Sequence, residues 1–231
     1  MSYDETKGRV LRSVSKIESA TTLIVENAYT HWLRPSLYKS YCYACLKSLT
    51  KRYLYCGKCF KVRFCCVQCL NKSTNEFHKN ECEYMNILEQ FSMGHFALRM
   101  ASVVGIDVVL QTAFENERQQ NCDHFKNDYK SIYSLTGDRR LQHSTLFLSA
   151  CVGGAVLALC AHRMSWITNK SEEMEVFAGV MFKHLMQVIV NTFVVYDCKM
   201  KKSDLTVIHE DSFLGRKRKK VGVVIAVQTI A

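Results

Sequence analysis

Apolar residues in the second half of the chain recur at helical spacing. Residues 83–197 contain no proline, and their apolar runs are longer than ordinary strands. This pattern predicts helical segments over residues 83–100, where it is irregular and interrupted by Gly94, and over residues 103–114, 143–163 and 172–196. On the last of these helices, the predicted core-facing positions are Phe177, Val180, Met181, Leu185, Val188, Ile189 and Phe193.

The two ends of the chain have the alternating or clustered apolar pattern of short strands. Residues 7–11 and 17–25 predict a β unit at the beginning. Near the end, Val207 with Ile208 and residues 221–230 predict strands separated by the basic loop 216–220. The chain is therefore predicted to be α+β, with a short N-terminal β unit, a mainly helical middle and the start of another β region.

The segment 145–161 is uncharged and has nearly the length of a membrane-spanning helix. It contains the glycine pair Gly153 and Gly154 and is short for a span, and we interpret it as a buried core helix. This interpretation predicts a soluble protein with no membrane partner.

The number of cysteines in the chain indicates metal binding. The chain has 231 residues, a formal net charge of +10 and 12 cysteines, a number that packing alone does not explain. Its length suits one or two domains. Because the first ten residues lack the basic and then apolar pattern of a secretory signal, we predict a reducing compartment and metal ligands rather than disulfides.

Seven cysteines and one histidine lie between residues 42 and 82 at the spacing of metal ligands. They form four pairs: Cys42 with Cys45, Cys56 with Cys59, Cys65 with Cys69, and His78 with Cys82. Short gaps let both members of a pair face one ion, and eight donors predict two tetrahedral, structural Zn²⁺ sites. The spacing leaves open whether the pairs are used in order or interleaved. Scattered buried thiols are the competing interpretation.

The remaining cysteines are not assigned to metal. Cys66 lies beside a ligand, in a register that points it elsewhere. The isolated cysteines are predicted to be core thiols: Cys122, Cys151, Cys160 and Cys198. Gly57, inside the second pair, is predicted to adopt the positive φ of a knuckle turn.

The end of this segment resembles the MYND zinc finger. That family's pattern is an aromatic residue, Cys-x3-Cys and then His-Lys-x-Glu-Cys; here Phe64 precedes the third pair, and residues 78–82 read HKNEC. In the family the first and third pairs share one ion. The resemblance therefore implies one zinc on Cys42, Cys45, Cys65 and Cys69, and the other on Cys56, Cys59, His78 and Cys82.

This sequence departs from the MYND pattern in two places. The gap between Cys69 and His78 is one residue longer than usual, and Asn75 stands where the family has a tryptophan. We expect Phe77 to supply the apolar contact that the tryptophan makes in the family.

The segments around the finger resemble the SET-and-MYND family of protein-lysine methyltransferases, most closely the divergent branch containing its fourth vertebrate member. The resemblance rests on the turn at residues 7–11, on residues 128–135 and on residues 187–193. It implies four domains: residues 1–41 begin a SET domain, residues 42–82 are the finger, residues 83–203 are a helical insert, and residues 204–231 begin the core SET strands.

The resemblance also implies contacts with S-adenosylmethionine. They are assigned to Lys7, Gly8, Arg9 and Asn191, with His184 as a weaker candidate. The alternative is that the charged residues are ordinary surface groups and that Asn191 is a helix-end polar residue. The chain ends before the family's Asn-His-Ser-Cys motif and channel tyrosine, so no catalytic residue is assigned and we expect this chain alone to be inactive. A fragment of a longer enzyme is the favoured explanation, and a short protein that keeps only the finger and the helical insert is the alternative.

The sequence is compatible with three functions from different classes. The first is a zinc-binding protein of the methyltransferase family that lacks the catalytic half. The second is a non-catalytic protein-interaction adaptor in transcription regulation. The third is a weak nucleic-acid binder that acts through a basic face.

The finger's charge and the family resemblance bear on its partners and on its location. Eight Lys and Arg against two Glu give residues 42–82 a formal charge of +6, which seven thiolates on two Zn²⁺ reduce to +3. The resemblance implies proline-containing peptides of repressors or histones as partners, and sequence-specific DNA binding is the lesser hypothesis. The basic run 216–220 has the composition of a nuclear-localisation signal, and we expect the protein in nucleus and cytoplasm.

Overall fold

The computed structural model describes residues 2–4, 8–10, 12–23, 25, 27–116, 128–137, 145–198 and 218–225. The strands are Ser2–Asp4 (β1), Gly8–Val10 (β2), Thr30–Leu33 (β3), Leu54–Tyr55 (β4), Arg63–Phe64 (β5), Thr192–Cys198 (β6) and Arg218–Ile225 (β7). The helices are Val67–Ser73 (α1), Lys79–Glu81 (α2), Met85–Leu88 (α3), Met93–Val104 (α4), Ile106–Asn116 (α5), Tyr129–Tyr133 (α6), Thr145–Arg163 (α7) and Ser171–Asn191 (α8). The α+β class is confirmed, with helices predominating.

A three-stranded antiparallel sheet joins distant parts of the chain. Strand β7 lies between β3 and β6, with Ile225 opposite both Thr30 and Thr192. The predicted strand 221–230 is confirmed as far as Ile225. It begins earlier than predicted, so the backbone of residues 218–220 lies in the strand rather than in a loop. Residues 207, 208, 216, 217 and 226–230 lie outside the described residues.

The helix predicted over residues 172–196 ends at Asn191, and the rest of that segment is strand β6. Bulky and β-branched residues follow Asn191 without interruption, and they favour an extended backbone when a partner strand is available. Ile189 and Phe193, which we predicted to face the core, are 47% and 53% exposed. Phe177, Val180, Met181 and Val188 are buried as predicted.

At the beginning of the chain, β1 and β2 form a hairpin. The strand predicted over residues 17–25 is wrong for those of its residues that the structure describes, which are irregular. Leu23 and Val25 are largely exposed there, and no sheet face covers their side chains. The strand that enters the large sheet is β3, a few residues later.

Helix α8 packs along α7 at close range. A Cβ on Gly154 would meet the Ala178 carbonyl oxygen at 2.7 Å, and one on Gly153 would meet the Leu185 side chain at 2.9 Å. The glycine pair therefore permits this approach. Buried side chains from α4, α5, α7 and α8 together form the main core.

The prediction of a buried helix at residues 145–161 is only partly correct. One strip of α7 is buried, including Leu157 and Ala158, but Leu148, Val152 and Leu159 are more than half exposed. Close packing on α8 covers one side of α7 and leaves the other uncovered by the described residues. Helix α7 has 19 residues, and a window of 18 of them has a mean hydropathy of 1.8, so α7 is long and apolar enough to cross a membrane.

Candidate metal centres

The first two ligand pairs lie on two turns of the same shape. The amide of Leu46 donates to the Cys42 carbonyl at 2.9 Å, and the amide of Phe60 donates to the Cys56 carbonyl at 3.0 Å. Leu46 has φ +60° and Phe60 has φ +56°. The positive φ predicted for Gly57 is therefore wrong, because each turn closes on the residue after its second cysteine.

The other two pairs lie on a helical stretch. Cys65 and Cys69 lie around the start of α1, and His78 and Cys82 are four residues apart on one helical face. A π-helical turn, Thr74–His78, separates them. Such a turn accommodates one residue more than an α-helical turn, and this fits the gap that is one residue longer than the MYND pattern.

The structure gathers the eight donors into two groups, and within each group all donor atoms lie within 4.8 Å of one another. Cys42, Cys45, Cys65 and Cys69 form cluster 1; Cys56, Cys59, His78 and Cys82 form cluster 2. The pairs are therefore interleaved, the arrangement that the MYND resemblance implies and that spacing alone left open.

The distances between donors suit tetrahedral coordination. In cluster 1, Cys65 Sγ lies 3.7 Å from Cys45 Sγ and 3.5 Å from Cys69 Sγ. In cluster 2, Cys56 Sγ lies 3.5 Å from Cys82 Sγ, and the gap between Cys59 Sγ and His78 Nε2 is 3.6 Å. Thiolates about 2.3 Å from a shared ion at tetrahedral angles stand about 3.8 Å apart. Each cluster could therefore hold a metal ion.

The electrostatics of the thiols differ within each cluster. Burial tends to raise the pKa of Cys42 and Cys56, but hydrogen bonds from backbone amides outweigh it, and both pKa values are lowered. The amides are those of Cys65, Cys45 and Ala44 for Cys42, and those of Cys59 and Lys58 for Cys56. Burial and the neighbouring thiol of Cys56 raise the pKa of Cys82. A bound cation stabilises all the thiolates together, so metal binding releases protons.

A buried ion pair ties cluster 2 to the helical body. Glu81, the residue before the ligand Cys82, accepts from Arg99 on α4 through both carboxylate oxygens, at 2.6 and 2.7 Å. Both side chains are at most 1% exposed. Although burial tends to raise the pKa of Glu81, Arg99 and His95 lower it below its ordinary value. The pKa of Arg99 is raised by Glu81 against the effect of burial.

Further groups complete this contact, which we call the finger lock. It comprises Glu81, Arg99, His95, Tyr43 and Trp32. The Arg99 guanidinium donates to the His31 carbonyl at 2.7 Å and to the Tyr43 hydroxyl, which itself donates to Glu81 at 2.8 Å. Trp32 Nε1 donates to His95 at 3.3 Å. The finger, strand β3 and helix α4 therefore share one buried polar network.

Phe77 packs against the finger lock. It is 2% exposed, and its ring lies 4.2 Å from the Arg99 guanidinium carbon. Phe77 also belongs to the buried apolar cluster of the finger, so the expected apolar contact is present in addition to the contact with Arg99.

The finger lock was not predicted from the sequence, although one signal was available. His95 and Arg99 are four residues apart and interrupt an otherwise apolar helix. Charged residues are rarely buried unless paired, so such a position indicates a partner elsewhere in the chain. The sequence of α4 itself does not identify Glu81 as that partner.

The residues assigned to S-adenosylmethionine by resemblance do not form a described site. Lys7 lies outside the described residues, and the backbone of Gly8 and Arg9 forms β2. The side-chain amide of Asn191 donates to the carbonyls of Thr136 at 2.9 Å and of Gln187 at 3.0 Å. Its hydrogen bonds are therefore those of a polar residue at a helix end.

His184 lies in a buried network within the helical body. The Gln187 side-chain nitrogen donates to the carbonyls of Ile132, Tyr133 and Leu135, at the end of helix α6 and just after it. The Gln187 side-chain oxygen must then accept a hydrogen bond from His184 Nδ1, at 2.8 Å. His184 Nε2 therefore carries no proton and accepts a hydrogen bond from the Tyr129 hydroxyl at 2.9 Å. The network therefore fixes a neutral imidazole.

His184 gives the helical body a pH-dependent stability. Burial lowers the pKa of His184 from 6.5 to about 4, the Gln187 bond opposes this, and Lys183 adds to it. Because the unfolded chain takes up this proton first, His184's contribution is complete above about pH 6.5 and is lost towards about pH 4. From about pH 7.5 to about pH 5.5, it should decrease by about 1 kcal/mol.

Urea unfolding of the wild type and of His184→Gln at both pH values measures this effect. The wild type should lose more stability than the variant on acidification, and equal losses would contradict this explanation. Tyr129, which faces His184, stays protonated over this range because burial raises its pKa.

The cysteines outside the clusters have different environments. Cys66 Sγ lies 3.8 Å from Cys65 Sγ but belongs to neither cluster. Cys160 is partly buried, whereas Cys151 is exposed, so the prediction of a core thiol is wrong for Cys151. Cys122 and the side chain of Cys198 lie outside the described part of the chain.

Comparisons with family models and with curated proteins identify no relative for this chain. No protein-family model matches it. No curated protein is significantly similar to it.

Proposed function

We propose that this chain is a zinc-binding protein of the SET-and-MYND kind, in which residues 42–82 form a MYND-type finger that binds protein segments. The interleaving of four donor pairs into two tetrahedral clusters is the observation that supports this proposal. Thiolate-rich sets of four donors favour Zn²⁺ over the hard cations Mg²⁺ and Ca²⁺.

The role proposed for the two ions is structural. Each cluster supplies four protein donors, so a bound ion keeps no position for water or substrate and cannot activate a nucleophile. The ions would instead hold the two turns and the helical stretch together, while the finger lock fixes the finger against α4. An interaction module held in this way presents a preorganised surface to its partner.

The partner class follows from the family resemblance, which implies proline-containing peptides. Methyl transfer to lysine is the alternative within the same family. The hydrogen bonds of Asn191 within the helical body favour the interaction module over cofactor binding at that residue.

Binding of a proline-containing peptide should require cluster 2. In calorimetric titrations, Cys59→Ser should bind the peptide at least about tenfold more weakly than the wild type, because loss of one thiolate weakens the metal site that shapes the finger. Cys66→Ser is the matched control and should bind as the wild type does. Unchanged affinity in Cys59→Ser, with its metal lost, would contradict the proposal.

A further inference from the structure

One face of the β4–β5 hairpin carries a row of aromatic and cationic side chains. The guanidinium carbon of Arg63 lies 4.3 Å from the ring centroid of Tyr53. Tyr55 is directly opposite Arg63 across the strand pair, so both side chains share one face. The ring of Phe60 lies 5.7 Å from that of Tyr55, centroid to centroid. We call Tyr53, Arg63, Tyr55 and Phe60 the aromatic strip.

The aromatic strip is not explained by packing. Tyr53, Tyr55 and Phe60 are 40%, 55% and 67% exposed, whereas Phe64, on the opposite face of the hairpin, is fully buried. Phe60 also has a positive φ, which favours glycine. Leu46 has the equivalent place in the other turn, but it packs on the finger core. Phe60 therefore keeps an exposed ring where neither backbone nor core requires one.

Cations surround the aromatic strip. Residues 27–75 contain nine Lys and Arg and no Asp or Glu. Lys51 and Arg52 come directly before Tyr53, and Lys58 lies between Tyr55 and Phe60; all three cations are exposed. Over residues 42–82, the formal charge of +6 stays positive, at +3, when seven thiolates and two Zn²⁺ are included. This surface therefore fits a polyanion that also presents flat apolar faces.

We propose that the aromatic strip binds single-stranded nucleic acid, with bases stacked on Tyr53, Tyr55 and Phe60. Lys51, Arg52 and Lys58 contact the phosphates. Proteins that bind single strands without sequence preference combine aromatic platforms with a basic track in this way. A duplex conceals its base faces, so it is the weaker ligand. The inference rests on the proposed function, because the zinc-dependent fold holds the hairpin.

The test uses the zinc-loaded full chain and a fluorescein-labelled oligothymidylate of about 12 nucleotides, with fluorescence anisotropy as the readout. Phe60→Gly should weaken binding at least about tenfold, since one stacking platform is lost. Its melting temperature should equal or exceed that of the wild type, because glycine suits the positive φ. Val67→Ala, exposed but outside the strip, is the control and should change affinity less than about twofold.

Salt dependence separates the phosphate contacts from stacking. Three phosphate contacts predict a slope of about −2 for the logarithm of the association constant against that of salt concentration. Lys58→Gln should make this slope shallower by about 0.7, whereas Phe60→Gly should leave it unchanged.

Several outcomes would overturn the inference. The first is that a folded chain holding two zinc ions does not bind the oligothymidylate. The second is equal affinity for a duplex of the same length, and the third is an affinity that does not change with salt concentration. A fourth is a Phe60→Gly defect confined to a proline-containing peptide, which would assign the strip to protein partners. A chain without zinc would overturn the proposed function and this inference together, and zinc content measured on the same sample distinguishes the two failures.

Discussion

The double variant Cys45→Ser, Cys59→Ser should bind no zinc and should lose the fold of the finger. The two substitutions remove one thiolate from each cluster, so a competing chelator should strip both ions. Structural Zn²⁺ contributes on the order of 10 kcal/mol to the folding of small finger peptides, which makes this the largest effect we expect. Hydrogen exchange of residues 42–82 and zinc content after chelation measure it.

We expect the finger to depend on metal because its own core is small. A single cluster of buried side chains, among them Tyr43, Val62 and Phe64, supports it. A module of this size rarely holds its fold by apolar burial alone. Cys66→Ser, which alters a thiol outside both clusters, is the matched control and should keep two ions and the folded finger. A folded finger in the double variant would contradict a structural role for the metal.

Arg99→Met should destabilise the protein by about 3–5 kcal/mol in urea unfolding. The substitution leaves the Glu81 carboxylate buried without its cation and removes the donors to the His31 carbonyl and the Tyr43 hydroxyl. An unpaired buried charge costs far more than the pair contributes. The additional substitution Glu81→Gln should therefore restore part of the lost stability.

An exposed ion pair provides the comparison for Arg99. Lys72 and Glu76 form a pair at 3.9 Å with side chains 64% and 47% exposed. Glu76→Gln should change stability by no more than about 0.5 kcal/mol, because solvent screens that pair. If Arg99→Met cost as little as Glu76→Gln, the finger lock would not hold the finger to the helical body.

The sequence predicted best what is local in the chain. The cysteine and histidine spacing indicated the eight donors because both members of a pair must reach one ion from a single turn or helical face. Apolar periodicity likewise located α5, α7 and α8, whose signals extend over many residues. It placed an interruption of the segment 83–100 at Gly94, but Gly94 lies inside α4, and the helical segment is broken earlier, between Leu88 and Met93. The interleaved grouping required the family resemblance, since spacing permits either order.

Features that depend on distant partners were predicted less well. Residues 192–198 follow helix α8 directly in the sequence, and only their pairing with β7 makes them a strand. The burial of Arg99 depends on Glu81, 18 residues earlier. The exposure of Leu148 follows from how closely Gly154 lets α7 approach α8, which the apolar pattern of α7 does not specify.

We propose that interleaved pairs bind two zinc ions, and two double variants distinguish this pairing from pairing in chain order. Cys45→Ser with Cys65→Ser removes two ligands from cluster 1 alone, whereas Cys45→Ser with Cys59→Ser removes one from each cluster. Zinc counted by native mass spectrometry after chelation should be one ion per chain for the first variant and none for the second. The reverse result would show that the pairs are used in order along the chain, and it would contradict the interleaved centres.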